Sequence, residues 1–291
     1  MGEFPAAARN PALIFRSAAV SCQGTGRREN QDATLVDNDN GLFVIADGVG
    51  CVEGSGVASA IACCQLLDRF ETAMQITCSR QRHHDIVDCL KTAFRRTERK
   101  ILHEQQTDRH LRHMASTALL TFIDRNPDAC AAGEARLYAA NVGDSRLLLI
   151  RGDVARQLTD EHRIAQGLCD AGLISCEEAS RHPERKTLYM HLGGCLHDGP
   201  DVSWTDLSSG DQLVLMTDGI WSQFTNAEIA ETVRTAATEQ QAATALTRMA
   251  RERGSRDDVS CVVITVRTTS APDTRPQVPP ASYEELFSTG H

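Results

Sequence analysis

Three aspartates in this chain lie at the boundaries of apolar, strand-like runs. Asp47 ends the run FVIAD, Asp218 ends LVLMTD, and Asp257 precedes VSCVVITV. The ends of strands are where layered folds collect their functional side chains. Three carboxylates brought together repel one another unless cations neutralise them. Oxygen ligands of this kind suit magnesium or manganese, whereas a zinc site would call for cysteine or histidine.

Two further acidic residues occupy similar positions. Asp32 opens a strand-like run after GRRENQ, and Asp144 follows another run within NVGDSR. A single aspartate beside a glycine is by itself best explained as a turn former. The same kind of position recurs at five strand ends, which favours a shared metal site.

The elements that must position these residues come in blocks. Apolar residues alternate with period two, or run continuously, over residues 14–22, 32–36, 41–46, 116–123, 135–141, 145–151, 154–158, 212–216 and 259–266, which predicts strands. Helical spacing over residues 55–70, 86–103, 226–234 and 241–253 predicts amphipathic helices. The turn DNDNG predicts a hairpin between the second and third strands. This order indicates an α+β fold with layers of helix on sheet.

The chain is expected to form a single folded domain over residues 13–268. Residues 1–12 predict a flexible N-terminal arm, and residues 269–291, with four prolines, predict a disordered tail. Residues 161–200 break the strand pattern and predict an inserted flap. Within it Ser175 and Glu178 have the spacing of a capping box, which predicts the start of a short helix.

Composition restricts the class of protein. A net charge of -9 and a pI near 5.6 argue against a nucleic-acid partner, because an acidic chain gains little from counterion release. The 11 cysteines include no C-x-x-C pair, so we expect free thiols in a reducing compartment. No apolar run approaches the roughly 18 residues of a membrane span, and no signal-peptide core is apparent. These features predict a soluble cytoplasmic protein that does not bind membranes.

Seven segments, in this order, resemble the successive motifs of the metal-dependent Ser/Thr protein phosphatases of type 2C, bacterial stand-alone form. They are GRRENQDA, FVIADGVG, STALLTF, AANVGDSRLLLIRGDV, LTDEH, LMTDGIW and GSRDDVSCVVI. The likeness extends over residues 17–266, and the ordered set is far more specific than any one motif. It implies that residues 13–268 are a phosphatase catalytic domain. The implied fold is a four-layer α/β/β/α sandwich, with two central antiparallel β-sheets flanked by helices and metals in a cleft at one edge.

The resemblance also implies how the acidic residues would share the metals. Asp47 would bridge two Mn²⁺ or Mg²⁺ ions, and the backbone carbonyl of Gly48 would join the first ion. Asp218 and Asp257 would hold the second ion, and Asp32 would act through metal-bound water.

A third metal and a phosphate site are implied in the same way. Asp144 together with Asp218 would form the third, weaker metal site of bacterial members. Arg27, spaced R-x-x-N-x-D ahead of Asp32, matches the phosphate-binding arginine of the family. With Arg27 and Asp47 as catalytic residues, a metal-bridging hydroxide would attack phosphorus directly, and no phosphoenzyme would form. The expected substrates are phosphoserine and phosphothreonine in proteins, the opposing enzyme is a bacterial Ser/Thr kinase, and the chain is expected to be a monomer.

Three positions depart from the family pattern. Val49 stands where animal members carry a histidine proposed as general acid, and Cys51 stands where a second glycine is usual. In the flap, Lys186 replaces a usual asparagine. These changes leave open the source of the leaving-group proton and the choice of substrate.

Two other functions compete with a phosphatase. A strand followed by Gly48-x-Gly50 and a helix imitates a dinucleotide-binding turn, but the third glycine falls one position late at Gly54, and Asp47 would repel a pyrophosphate. A catalytically inactive phosphatase fold could instead serve as a binding or regulatory module. Such a module need not keep its carboxylates, and this chain keeps all five.

Overall fold

The computed structural model of this chain describes residues 13–50, 53–76, 82–125 and 135–268. The predicted N-terminal arm, the predicted C-terminal tail and Cys51 lie outside the described residues. No helix within these ranges is both long and apolar enough to cross a membrane.

The described ranges contain ten strands and seven α-helices. The strands are β1 (Leu13–Cys22), β2 (Asp32–Asp37), β3 (Leu42–Asp47), β4 (Ala118–Asp124), β5 (Ala135–Val142), β6 (Arg146–Arg151), β7 (Val154–Gln157), β8 (Asp201–Leu207), β9 (Gln212–Met216) and β10 (Val259–Thr268). The helices are α1 (Ser55–Ile76), α2 (Arg82–Thr107), α3 (Ile164–Asp170), α4 (Cys176–Arg181), α5 (Asp218–Trp221), α6 (Asn226–Thr235) and α7 (Glu239–Glu252).

These strands form two antiparallel sheets that pack face to face. In one sheet the order is β1-β10-β9-β6-β7, and in the other it is β2-β3-β4-β5-β8. Helices α1 and α2 cover the outer face of the second sheet, and α6 and α7 cover the outer face of the first. The predicted four-layer α+β sandwich is confirmed.

Strand β3 shows why a continuous apolar run forms a strand here. Leu42 and Val44 face the core beneath α1 and α2, while Phe43 and Ile45 face the core between the sheets. All four side chains are at most 1% exposed, because both faces of the strand are covered. Successive side chains of a strand point to opposite faces, so a doubly covered strand needs apolar residues at every position.

The sequence pattern missed strand β8. Its residues DVSWTDL mix polar and apolar side chains on both faces, and it lies at the edge of the sheet beside β5. An edge strand buries little, so it shows no apolar alternation. Between β7 and β8 the chain forms α3 and α4 outside the sheets, and the capping box predicted at Ser175 and Glu178 is formed at the start of α4.

Candidate active site

The β2–β3 hairpin places two of the predicted carboxylates opposite each other. Asp32 and Asp47 are partners in the register that the turn between the strands sets. The backbone N–H of Asp47 donates to Thr117 Oγ1 at 3.0 Å, which ties this end of β3 to β4. A local turn and the pairing of two adjacent strands therefore bring two acidic side chains to one edge of the sandwich.

The other three carboxylates reach the same edge from the facing sheet. Asp218 follows β9 and Asp257 precedes β10, and these strands are antiparallel neighbours, so the end of one lies beside the start of the other. Asp144 lies just before β6, which pairs with β9 on its other side. Burial raises the pKa of Asp47 well above its usual range, and repulsion from Asp32, Asp218, Asp144 and Asp257 adds to it. These four carboxylates therefore lie close enough to Asp47 to interact with it electrostatically.

Burial dominates the electrostatics of two further members. It raises the pKa of Asp32 to about 7, against hydrogen bonds from Ser260 and Thr217 that lower it. It also raises the pKa of Asp218 to about 7, with added repulsion from Asp144. Thr217 Oγ1 donates to Asp32 Oδ2 at 2.9 Å, whereas the buried Asp32 Oδ1 accepts no hydrogen bond from the described residues.

This set of donors fits hard divalent cations. The side-chain metal ligands would be carboxylate oxygens, which Mg²⁺ and Mn²⁺ prefer. One of them, the buried Asp32 Oδ1, accepts no hydrogen bond from the described residues. Over the same ranges, no three acidic, histidine or cysteine side chains already surround one common ion position. Asp257, Asp144 and Asp218 instead accept from arginines.

Arg27 lies beside Asp257 at the rim of the cluster. Its Nε donates to Asp257 Oδ1 at 2.8 Å, and its Nη2 contacts the same oxygen. Nη1 donates to Gln31 Oε1 at 3.1 Å. The guanidinium that the resemblance assigns to phosphate therefore lies in direct contact with the carboxylate cluster.

Arg163 is a second guanidinium in the cluster, and the sequence analysis did not identify it. Its Nε donates to Asp144 Oδ2 at 2.6 Å, and its Nη2 lies 3.4 Å from Asp218 Oδ2. The residue directly follows the motif LTDEH, which was the available signal. Which way its side chain points depends on how the flap meets the sheets, so spacing alone could not assign it a partner.

Asp258 is another acidic residue with a role that the sequence did not reveal. It is 2% exposed, and its two oxygens accept from the backbone N–H groups of Gly24 and Gln31 at 2.7 and 2.8 Å. It therefore holds both ends of the segment that carries Arg27. The two adjacent aspartates before β10 thus have different roles. Asp257 faces the carboxylate cluster, whereas Asp258 holds the backbone at Gly24 and Gln31.

Gly48 has a packing role of its own. A Cβ at this position would lie 2.7 Å from the backbone carbonyl of Ser55, where α1 begins. Its N–H donates to the carbonyl of Gln31 at 3.0 Å. The absence of a side chain lets α1 start directly against the end of β3, next to Asp47.

We expect Gly48→Ala to lower the free energy of unfolding by about 1–3 kcal/mol, because overpacking against backbone forces the chain to shift. Chemical denaturation of the metal-free protein measures this. Gly167→Ala is the matched control, since a Cβ there meets only Tyr189 Cε1 at 3.5 Å. Gly167 lies inside α3, so its replacement should be neutral or stabilising by up to about 1 kcal/mol. Equal stability of both variants would contradict the packing role of Gly48.

The structure describes two of the three residues that depart from the family pattern, Val49 and Lys186. Val49 offers no titratable group at the cluster, and its N–H donates to the carbonyl of Ala115 at 2.8 Å. Lys186, an exposed residue between α4 and β8, carries a positive charge that lowers the pKa of Asp218. The flap thus adds positive charge near the cluster, which favours an anionic substrate.

The metal-free protein is expected to lose stability as the pH rises towards about 8. Asp32 and Asp218 have pKa values raised from 3.8 to about 7 in the folded state. The folded state then holds these protons more tightly than the unfolded state, so this contribution to stability is complete below about pH 4 and disappears as the pH passes about 7. We expect Mn²⁺ to raise the melting temperature more at pH 8 than at pH 6, because it replaces the lost protons. Thermal melting in EDTA and in Mn²⁺ tests this; an unchanged melting temperature with Mn²⁺ at pH 8 would contradict it.

Residues 23–258 match the family model described as Protein phosphatase 2C. The serine/threonine phosphatase stp of Listeria innocua is 27% identical over 224 residues, which cover 77% of this chain and 83% of that protein. The crystal structure of the Mycobacterium tuberculosis serine/threonine phosphatase PstP/Ppp matches with a TM-score of 0.73 and 26% identity, covering 87% of this chain and 99% of the other. The catalytic domain of the phosphatase PstP in complex with two manganese ions matches with a TM-score of 0.68 and 23% identity, covering 87% and 99%.

Proposed function

This chain belongs to the protein phosphatase 2C family, and from that premise we propose that it hydrolyses phosphoserine and phosphothreonine in proteins. The observation that carries the proposal is the meeting of five carboxylates at one edge of the sandwich, with Arg27 beside them. Proteins of this family depend on metals. We propose two divalent cations, Mn²⁺ or Mg²⁺, held by Asp32, Asp47, the carbonyl of Gly48, Asp218 and Asp257.

The protein groups divide the work between binding metals and binding phosphate. When bound, the two cations acidify water for attack on phosphorus and offset the charge of the phosphate. The β2–β3 register holds the side chains of Asp32 and Asp47 opposite each other. Asp47, on which the charges of the other four carboxylates act, would be one of the residues that hold the cations.

Arg27 supplies the phosphate-binding fork in this proposal. A guanidinium has planar, paired N–H groups that match two phosphate oxygens. Arg27 now donates to Asp257, so we propose that it changes partner when cations bind Asp257 and a phosphate arrives. Asp258 keeps the Arg27 segment in place during this exchange, since it holds the backbone at Gly24 and Gln31.

We propose further that the substrates are phosphoproteins of the cytoplasm, that a Ser/Thr kinase of the same cell supplies them, and that the protein acts as a monomer. The acidic net charge of -9 makes nucleic acid an unfavourable partner. The alternative, an inactive binding module, has no need for a buried cluster of mutually repelling carboxylates, which lowers stability unless cations bind.

The proposal is tested by incubating the purified protein with Mn²⁺ and a phosphothreonine peptide and measuring release of phosphate. Isothermal calorimetry measures Mn²⁺ binding in parallel, and a phosphotyrosine peptide serves as the control substrate. We expect phosphate from the phosphothreonine peptide, dependent on Mn²⁺ and abolished by EDTA. Metal binding without phosphate release would support the binding module instead. The absence of both metal binding and phosphate release would exclude the enzyme.

A further inference from the structure

The side chain of Arg163 lies between two carboxylates to which the family resemblance assigned a third metal. Its Nε and Nη2 both lie 2.6 Å from Asp144 Oδ2, and Nη2 lies 3.4 Å from Asp218 Oδ2. The side chain is 13% exposed, so the pair with Asp144, itself 9% exposed, is largely removed from water. A charge pair in such surroundings is costly to break from one side, because it leaves a buried charge without its partner.

The guanidinium of Arg163 is also held from behind. It lies 4.3 Å from the ring centroid of Trp221, whose Nε1 donates to the carbonyl of Asp144 at 3.1 Å. Arg146 covers the same ring at 3.7 Å and pairs with Glu161, and Glu161 lies 3.8 Å from Arg163 Nε. A cation over the face of a tryptophan gains further stabilisation when it is partly desolvated. The guanidinium of Arg163 is therefore positioned by contacts with two aspartates, the ring of Trp221 and the nearby Glu161.

The backbone at Arg163 is fixed where the flap leaves the sandwich. His162 N–H donates to the carbonyl of Gly143 at 3.0 Å, next to Asp144, and Ile164 N–H donates to the carbonyl of Thr187 at 2.9 Å. Arg163 itself forms a β-bridge with Leu188 on the returning part of the flap. The guanidinium therefore extends from a segment tied on both sides, and its presence in the cluster follows from the local chain path.

Arg27 differs from Arg163 in what can replace its partner. Arg27 donates twice to a single oxygen of Asp257, and a phosphate offers the same guanidinium two oxygens and a larger charge. Arg163 instead contacts two carboxylates and a tryptophan ring at once. Binding of substrate gives a reason for Arg27 to move, and it gives none for Arg163 to leave Asp144.

We propose that Arg163 is a built-in cation that takes the place of the third metal, so that this protein works with two divalent cations. The inference rests on the proposed metal-dependent function, but it concerns the number of bound ions and not turnover. A guanidinium and a divalent cation compete for the same oxygens of Asp144 and Asp218, and their like charges repel. The same ion pair also links the base of the flap to the carboxylate cluster.

The test counts Mn²⁺ ions per chain by calorimetry and by electron paramagnetic resonance of free Mn²⁺. We expect two ions for the unaltered protein, three for Arg163→Gln, and two for Arg163→Lys, because lysine keeps the positive charge. Adding Asp144→Asn to Arg163→Gln should return the count to two, because the extra ion loses its carboxylate. Circular dichroism confirms that each variant is folded.

If Arg163→Gln does not fold, the Mn²⁺ counts of the unaltered protein and of Asp144→Asn still test whether Arg163 replaces the third metal. Two ions in both proteins support the built-in cation, whereas three ions that fall to two in Asp144→Asn would overturn it. Two ions in a folded Arg163→Gln would also overturn it. Phosphate release is measured separately: a protein that binds two ions without hydrolysing phosphothreonine would contradict the proposed function and leave the inference on Arg163 standing.

Discussion

Asp47→Asn is expected to lower kcat by about 10³-fold or more, and to raise the melting temperature of the metal-free protein. Asp47 is the carboxylate on which the charges of Asp32, Asp218, Asp144 and Asp257 all act. Its loss would remove a proposed metal ligand, and cations bound at such a site contribute several kcal/mol to the transition state, where about 1.4 kcal/mol is tenfold in rate. Removing a partly buried charge that its neighbours repel should at the same time stabilise the fold, which is the usual exchange between stability and activity at an active site.

The effect of Asp47→Asn is measured as Mn²⁺-dependent release of phosphate from a phosphothreonine peptide, with thermal melting in EDTA. Asp153→Asn is the matched control: this carboxylate is fully exposed beyond the far end of β6, where it pairs with Arg234. The control should keep its activity and its melting temperature. Asp218→Asn should also lose turnover while remaining folded. Full activity in either site variant would refute the assignment of the metal ligands.

Arg27→Ala is expected to raise KM about 10- to 100-fold and to lower kcat less. Hydrogen bonds to charged groups contribute about 1.5–3 kcal/mol each. In the proposed mechanism Arg27 binds the phosphate in both the substrate complex and the transition state, so the substitution removes the same binding free energy from both. Such a loss of uniform binding appears in KM. Arg27→Lys should recover only part of the affinity, because an ammonium group cannot offer two parallel N–H groups.

Initial rates at varied phosphopeptide concentration separate KM from kcat for both Arg27 variants. Arg253→Ala is a suitable control, since this arginine pairs with Glu228 on α6 and covers Phe224, and it does not contact the carboxylate cluster. A fall in kcat with unchanged KM in Arg27→Ala would instead mean that the guanidinium acts only in the transition state. Unchanged kinetics would remove Arg27 from the site.

Much of the fold follows from local patterns. The Asn-Gly turn and the strand-like runs on either side of it predicted the β2–β3 hairpin, and that register sets Asp32 opposite Asp47. Continuous apolar runs predicted the strands that are covered on both faces. Strand β8 was missed because an edge strand contributes little to either core and so needs no apolar alternation.

The assignment of roles within the cluster depended on long-range contacts. Gly48 illustrates this: the family resemblance implied a carbonyl ligand, which remains a proposal, while the structure shows a packing requirement against Ser55. Asp257 and Asp258 are adjacent and chemically identical, and spacing alone does not say that Asp258 holds the backbone of Gly24 and Gln31.

The sequence by itself predicted which residues would carry the chemistry: five aspartates at the ends of strands and, from the family resemblance, an arginine ahead of the first of them. These are local properties, because each aspartate borders an apolar run that can be read directly from the sequence. Only the tertiary structure decided which arginine pairs with which carboxylate. Arg27 pairs with Asp257, 230 positions away along the chain, and Arg163 reaches Asp218 across 55 positions. Such pairs exist only because two sheets and the base of a flap converge at one edge, and no periodicity in the sequence encodes that meeting.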